Sequence, residues 1–106
     1  MGQSLSNDDN CQTFIDGRWV AGNPPLMHAM THAVWLGSVV FDGARAFEGV
    51  MPDLDAHLER VNRSAVALRL KPTMTVDAMR ALAHEGVRRF GPQPELYIRP
   101  SYWAEQ

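Results

Sequence analysis

Two stretches of the chain carry apolar residues at helical spacing. In the first, the residues of one face follow at intervals of four, three, four and three positions: Leu54, Leu58, Val61, Ala65 and Leu68. Asp53 and Asp55 stand at its start, where a carboxylate can cap the free amides and favour the positive end of the helix dipole. We therefore expect a helix that begins at these acids and ends near Leu70, before Lys71-Pro72.

A second amphipathic helix is predicted from Val76 to Phe90. Its apolar face is formed by Val76, Met79, Ala83, Val87 and Phe90. Thr75 precedes it as the expected N-cap, and Arg88-Arg89 complement the negative end of the dipole. Gly91-Pro92 then ends the helix.

Turn residues and alternating polarity predict strands elsewhere. Residues 12–21 are predicted to form a β-hairpin, because Asp16-Gly17 suits the positive φ angles of a tight turn. From Ala44 to Phe47, the polar Arg45 alternates with apolar neighbours, which is typical of a strand whose guanidinium points away from the packed face. Residues 95–100 predict a further strand with a proline near its end.

The order of these elements predicts the fold class. The succession ββ, β, α, α, β is typical of an α+β domain with two helices packed on one face of an antiparallel sheet. A length of 106 residues is that of about one domain. We expect residues 1–11, which are mainly polar, to be disordered and residues 12–106 to form the domain. Neither period is clean over residues 27–36, and no element is predicted there.

Charge and composition narrow the classes of partner. Ten Lys and Arg against twelve Asp and Glu give a formal net charge of −2, so we expect no nucleic-acid partner. Apolar runs are too short to cross a bilayer, and the polar first ten residues do not resemble a secretory signal. Cys11 is the single cysteine and cannot form an internal disulfide. These features predict a cytoplasmic protein without a membrane partner.

Residue types alone leave the chemistry open. His28 and His32 have the spacing of two metal ligands on a helix, yet no third ligand stands at a recognised spacing, so no metal site is predicted. Arg45, Arg60 and Arg99 lie beside glycine or aromatic positions, and a planar guanidinium suits phosphate or carboxylate. A structural role remains the leading interpretation of each arginine until the order of the motifs is considered.

Five short segments, in order along the chain, carry the most specific pattern. They are Phe14 to Trp19, Thr31-His32-Ala33, Gly37 to Gly49 with its core Val40 to Phe47, His57 to Val61, and Tyr97 to Pro100. From about residue 12 to residue 103, this pattern resembles the N-terminal domain of class IV aminotransferases, which are pyridoxal-phosphate enzymes of fold type IV. The core segment is most similar to the branched-chain aminotransferases of that family.

The resemblance implies a cofactor and a missing catalytic group. Arg60 matches the arginine that binds the phosphate of pyridoxal 5'-phosphate. In the family a lysine of the C-terminal domain holds the cofactor covalently, and we expect that domain to be absent from this chain. Lys71 is the only lysine and lies in a predicted exposed loop, so no residue of this chain is expected to be catalytic and the chain alone is expected to be inactive.

The resemblance also implies a substrate pocket. Phe41 matches an aromatic that lines the side-chain pocket, and Gly43 matches a position where the backbone lies close to the site. Tyr97 and Arg99 match positions around the substrate carboxylates, and Arg45 is expected to support the same pocket. The family commonly has Tyr at the position of Leu36, so the contribution of that segment differs here.

The implied function is that of a branched-chain amino acid aminotransferase, which transfers an amino group to 2-oxoglutarate. Its partners would be small amino acids and 2-oxo acids, and the complete enzyme would be a homo-oligomer such as a dimer. Two alternatives remain. The chain could be an inactive lone domain that acts as an interaction or structural module, or it could belong to another class IV member, such as a D-amino-acid aminotransferase or an aminodeoxychorismate lyase.

Overall fold

The computed structural model describes residues 11–92 and 95–106, which form nine elements. In chain order these are β1 (Gln12–Ile15), β2 (Arg18–Ala21), α1 (His32–Leu36), β3 (Val39–Phe41), β4 (Ala44–Ala46), α2 (Leu54–Ala67), α3 (Val76–Arg88), β5 (Leu96–Ile98) and β6 (Ser101–Trp103). The predicted disordered N-terminus, residues 1–11, lies outside the described residues except for Cys11.

The predicted hairpin is confirmed as β1 and β2. Asp16 and Gly17 both have positive φ angles, 54° and 79°, and pass the chain directly from one strand to the other. Phe14 lies opposite Trp19, and their rings pack edge to face with centroids 5.4 Å apart. The Trp19 ring in turn covers Gly86 of α3, where an added Cβ would lie 2.5 Å from the ring. The absence of a side chain at Gly86 thus lets the hairpin pack on α3.

The remaining strands form two antiparallel pairs. β3 pairs with β6, with Phe41 opposite Ser101, and β4 pairs with β5, with Arg45 opposite Tyr97. The strands predicted over residues 44–47 and 95–100 are confirmed. β3, β6 and the short α1 add to the predicted order, and within the described residues the sheet consists of three separate two-stranded pairs.

The core lies between α2 and these strand pairs. α2 contacts β3, β4 and β6 on one side and α3 on the other. Leu58 and Val61 of α2 are buried in one cluster with Ala44 of β4, and Ala65 of α2 is also buried. The predicted apolar face of α2 is confirmed for its first four members. Leu68 is exposed, because α2 ends at Ala67 and the chain turns away.

The N-terminus of α3 is capped as predicted, whereas that of α2 is not. Thr75 caps α3 as predicted, accepting a hydrogen bond from the Ala78 amide at 3.1 Å. The predicted capping of α2 by Asp53 or Asp55 is wrong. Asp53 has a left-handed backbone, with a φ angle of 56° and no side-chain cap bond. Asp55 instead accepts a 2.7 Å hydrogen bond from Arg80, which joins α2 to α3.

These elements confirm the predicted α+β class, with antiparallel strands and two main helices. Among the described residues, none of the helices is both long and apolar enough to span a bilayer. The boundary of the domain at residue 12 stays a prediction.

The burial of α2 generates a matched stability test. Val61 is 0% exposed and Val66, on the same helix, is 62% exposed. Val61→Ala removes two methyl groups from a packed core and leaves a cavity, so it should lower the free energy of unfolding by about 2 kcal/mol. Val66→Ala should change it by no more than about 0.5 kcal/mol. Urea unfolding measures both, and equal losses would contradict this placement of the core.

Candidate functional site

One face of the β4–β5 pair points away from α2 and is open. Ala44 and Ala46 of β4 are buried, and because side chains alternate along a strand, Arg45 between them points outward. Tyr97 lies opposite Arg45 on β5 and is exposed on the same side. A shallow groove of about 460 Å³ adjoins them, lined by Arg45, Ala46, Phe47, Glu95, Leu96 and Tyr97.

Gly43 lies directly under the ring of Tyr97. A Cβ added at Gly43 would lie 2.5 Å from the Tyr97 hydroxyl oxygen and 2.7 Å from Cε1. These distances are shorter than van der Waals contact, so only glycine lets the phenol ring lie flat against the β3–β4 connection. Gly43 therefore admits this ring, and its predicted place beside a substrate site stays a prediction.

Phe41 and Arg99 form a second contact on the open face. Phe41 ends β3 and is 50% exposed, while its neighbour Val40 packs toward the core. The Arg99 guanidinium carbon lies 3.8 Å from the centroid of the Phe41 ring, a cation–π arrangement. This contact places a cationic donor beside an exposed apolar surface.

Arg60 lies on α2 and is held by a carboxylate of the β3–β4 connection. Its Nε donates to Asp42 Oδ2 at 2.5 Å and its Nη2 to Oδ1 at 2.8 Å, a bidentate pair. Asp42 is 8% exposed, whereas Arg60 is 56% exposed. The carboxylate is therefore shielded from water, and the rest of the guanidinium is accessible.

Two further donors complete the environment of Asp42. The Nδ1 of His57 lies 2.7 Å from Oδ1, and the Gly43 amide donates to the same oxygen at 2.9 Å. His57 and Arg60 are three residues apart on α2 and so reach Asp42 from the same side of the helix.

The hydrogen bonds from Arg60, with smaller contributions from His57 and Gly43, hold the pKa of Asp42 well below its ordinary value of 3.8, despite the opposing effect of burial. Because the folded-state pKa lies below that of the unfolded chain, the Asp42 interactions stabilise the fold fully above about pH 4. That stability is lost only as the pH falls toward the folded-state value. At neutral pH the carboxylate is charged.

The structure brings the predicted site residues into two connected groups. Gly43 and Arg45 both adjoin Tyr97, and Phe41 separately contacts Arg99. Arg60 lies on the helical side of the same connection and is joined to it by Asp42.

Sequence reasoning assigned no role to Asp42 or His57. A usable signal was present, since His57 and Arg60 lie on one face of a predicted helix and a lone acid interrupts the apolar and glycine run from Val39 to Gly43. His32, for which no metal role is predicted, contacts Ser38 Oγ at 2.7 Å through its Nδ1.

Comparison with known proteins supplies the family. The family described as Amino-transferase class IV matches residues 39–106, which is more than half of the chain. The chain belongs to this family. The matched region therefore includes the whole β3–β4 connection, Arg60, β5 and β6.

Relatives and solved structures agree with the class IV assignment. A probable branched-chain-amino-acid aminotransferase of Rickettsia felis is 37% identical over 91 residues, which cover 86% of this chain and 31% of the relative. An aminotransferase of Brucella abortus, solved with the cofactor PLP, is 52% identical with a TM-score of 0.87, covering 90% of this chain and 34% of that one.

A branched-chain aminotransferase of Thermoproteus uzoniensis, solved with norvaline, is 29% identical with a TM-score of 0.80, covering 90% of this chain and 33% of that one. The chain spans about a third of the length of the relatives it matches.

The contact between Gly43 and Tyr97 in the class IV domain generates a test. Gly43→Ala should push the exposed Tyr97 ring outward, because a Cβ cannot occupy a position 2.5 Å from the phenol oxygen. The ring can rotate toward solvent, so the free energy of unfolding should fall by no more than about 1 kcal/mol.

NMR of labelled tyrosine rings measures the displacement. The chain has two tyrosines, and Tyr102, which packs against the core, serves as the internal control. The Tyr97 ring resonances should shift while those of Tyr102 stay in place. Unmoved Tyr97 resonances in a folded variant would contradict the contact.

Proposed function

We propose that this chain is the N-terminal domain of a branched-chain amino acid aminotransferase that uses pyridoxal 5'-phosphate to transfer an amino group to 2-oxoglutarate. Membership of the class IV family and the names of the relatives support this assignment. The observation that carries it is the Arg60 guanidinium, held by Asp42 in a bidentate pair while the side chain is 56% exposed.

The donors of Arg60 fit the cofactor phosphate. Asp42 occupies Nε and one hydrogen of Nη2, and the remaining N–H groups lie on the exposed part of the side chain. A phosphate dianion is the ligand that suits such a planar pair of donors. When bound, the cofactor supplies the electron sink for transamination, and Arg60 anchors it by the phosphate.

The open face suits an amino acid with an apolar side chain. Arg45 and Arg99 offer charged donors for carboxylates, and the Tyr97 hydroxyl adds a neutral one. Phe41 offers an apolar surface beside them, against which a branched aliphatic side chain can be buried. Arg45 and Tyr97 lie directly opposite each other, so one carboxylate could bridge both.

The covalent step needs a lysine from another part of the enzyme. Lys71 is the single lysine of the 106 residues and is exposed in the connection between α2 and α3. We therefore propose that the remaining two thirds of a complete enzyme supply the catalytic lysine, and that these 106 residues alone show no aminotransferase turnover. We also propose a homo-oligomeric, cytoplasmic enzyme, the latter in keeping with a single cysteine.

A second candidate function is that of an interaction module. An apolar surface lies at α1, where Trp35 and Leu36 of the helix and Met30 just before it are exposed. A further domain or subunit can bury this surface. The length of the open reading frame separates the two candidates. A frame about three times longer than this chain, as in the relatives, favours the enzyme, and one that stops at residue 106 favours the module.

The phosphate role of Arg60 is tested in the complete enzyme. Arg60→Ala should weaken binding of pyridoxal 5'-phosphate by about 2 kcal/mol, the scale for the loss of a charged hydrogen-bonded partner. Arg63→Ala, which removes an exposed arginine of the same helix, is the matched control and should leave cofactor affinity unchanged. Equal affinities in the two variants, read by cofactor absorbance titration, would refute the assignment.

The substrate role of Phe41 is tested by donor preference. Phe41→Ala removes the apolar surface that would face the branched side chain, so the ratio of kcat/KM for L-valine to that for L-alanine should fall about tenfold. The L-alanine value serves as the internal control and should change little. An unaltered ratio would place the side-chain pocket elsewhere, and a wild-type preference for D-amino acids would favour the other class IV members.

A further inference from the structure

We propose that Asp42 is a positioning residue for the cofactor phosphate: it fixes the guanidinium of Arg60 by one edge and leaves the opposite edge free to bind the phosphate. This inference rests on the function proposed above and extends it to a residue that does not touch the cofactor. In this arrangement the Asp42 carboxylate and the phosphate bind different donors of Arg60 and do not compete for the same ones.

Arg60 has enough N–H donors to bind Asp42 and a phosphate at the same time. A guanidinium has five N–H groups, one on Nε and two on each terminal nitrogen. Asp42 accepts from Nε and from one hydrogen of Nη2. Both hydrogens of Nη1 and the second hydrogen of Nη2 remain, and the Arg60 side chain as a whole is 56% exposed. A phosphate can therefore bind two donors without displacing Asp42.

His57 does not consume the remaining donor. Its Nδ1 lies 2.7 Å from Asp42 Oδ1 and 3.1 Å from Arg60 Nη2. A nitrogen that faces a carboxylate at this distance must carry the proton, since a charged carboxylate only accepts. Nδ1 then has no lone pair for Arg60, and the second Nη2 hydrogen stays available.

Asp42 accepts four hydrogen bonds from three residues. Its Oδ1 receives hydrogen bonds from Gly43 N, His57 Nδ1 and Arg60 Nη2, and its Oδ2 receives one from Arg60 Nε. The Asp42 amide donates to the Pro100 carbonyl at 3.2 Å, which fastens the residue to the β5–β6 connection. A buried carboxylate held at this many points is a rigid support for a long, exposed side chain.

Two opposing effects decide whether Asp42 strengthens or weakens the binding of a phosphate to Arg60. The negative charge of Asp42 weakens the attraction between Arg60 and a phosphate, while the bidentate pair orders the guanidinium before the ligand arrives. The charge effect is screened, because Arg60 is more than half exposed. Ordering removes an entropic cost that binding would otherwise carry. We therefore expect the loss of Asp42 to weaken phosphate binding.

The test compares two ligands in the complete enzyme. Pyridoxal 5'-phosphate and pyridoxal differ only in the phosphate, so a change that affects only the first acts at the phosphate site. Asp42→Asn should raise the Kd of pyridoxal 5'-phosphate about tenfold and leave that of pyridoxal within about twofold. Asp55→Asn, which breaks another Asp–Arg pair of α2, is the control and should alter neither Kd.

A double-mutant cycle assigns the effect to Arg60. In an Arg60→Ala background, Asp42→Asn should cause no further loss, because its only route to the phosphate is gone. Asp42→Ser, which removes the bidentate acceptor and keeps a small polar side chain, should show the same selective loss and provides a test even if Asp42→Asn does not fold.

Three results would overturn the proposal: tighter phosphate binding in Asp42→Asn, equal losses for the two ligands, or losses that add in the double mutant. An Arg60→Ala variant with unchanged affinity would instead refute the phosphate assignment itself.

Discussion

The ion pair between Asp42 and Arg60 is the interaction that joins the parts of this domain. It connects the middle of α2 to the short link between β3 and β4, and the backbone of Asp42 extends the connection to Pro100. Phe41 and Gly43 flank Asp42 in the chain, so the residue that holds Arg60 also sets the position of two residues on the open face. One buried carboxylate thus connects α2 to the residues on either side of it in the β3–β4 connection.

The pair depends in turn on the packing of α2. Val61, next to Arg60, is fully buried, and Leu58, next to His57, is nearly so. Their burial fixes the rotation of the helix and presents His57 and Arg60 together to Asp42. A bidentate arginine pair requires such alignment, since its strength comes from two parallel hydrogen bonds at defined angles. Core packing and the geometry of the candidate site are therefore one constraint.

Much of the fold could be predicted from the sequence, where local chemistry decides the structure. The Asp16-Gly17 turn, the apolar face of α2 and the Thr75 cap depend on neighbouring residues alone. Asp53 was predicted as a cap, but its left-handed backbone depends on how the preceding turn approaches α2. α1 was not predicted, because its five residues are held by tertiary bonds from the His32 and Ala33 amides to the carbonyls of Glu105 and Ala104.

In the candidate site, too, the sequence marks individual residues but not the contacts between distant ones. The family pattern drew attention to Arg60 and to the residues of the open face, and motif order was sufficient for that. The sequence marks Asp42 only as a lone acid in an apolar run, and its pairing with Arg60 depends on a contact between residues 18 positions apart and on which side of β3 the carboxylate lies. The contact of Tyr97 with Gly43 is likewise a product of strand register.

A crystal structure of the complete enzyme with pyridoxal 5'-phosphate would show directly whether Asp42 and the phosphate bind Arg60 at the same time. We expect Arg60 to keep its Nε and Nη2 bonds to Asp42 while its other edge donates to the phosphate oxygens. A structure in which Arg60 has released Asp42 to reach the phosphate, or in which the phosphate lies away from Arg60, would contradict it.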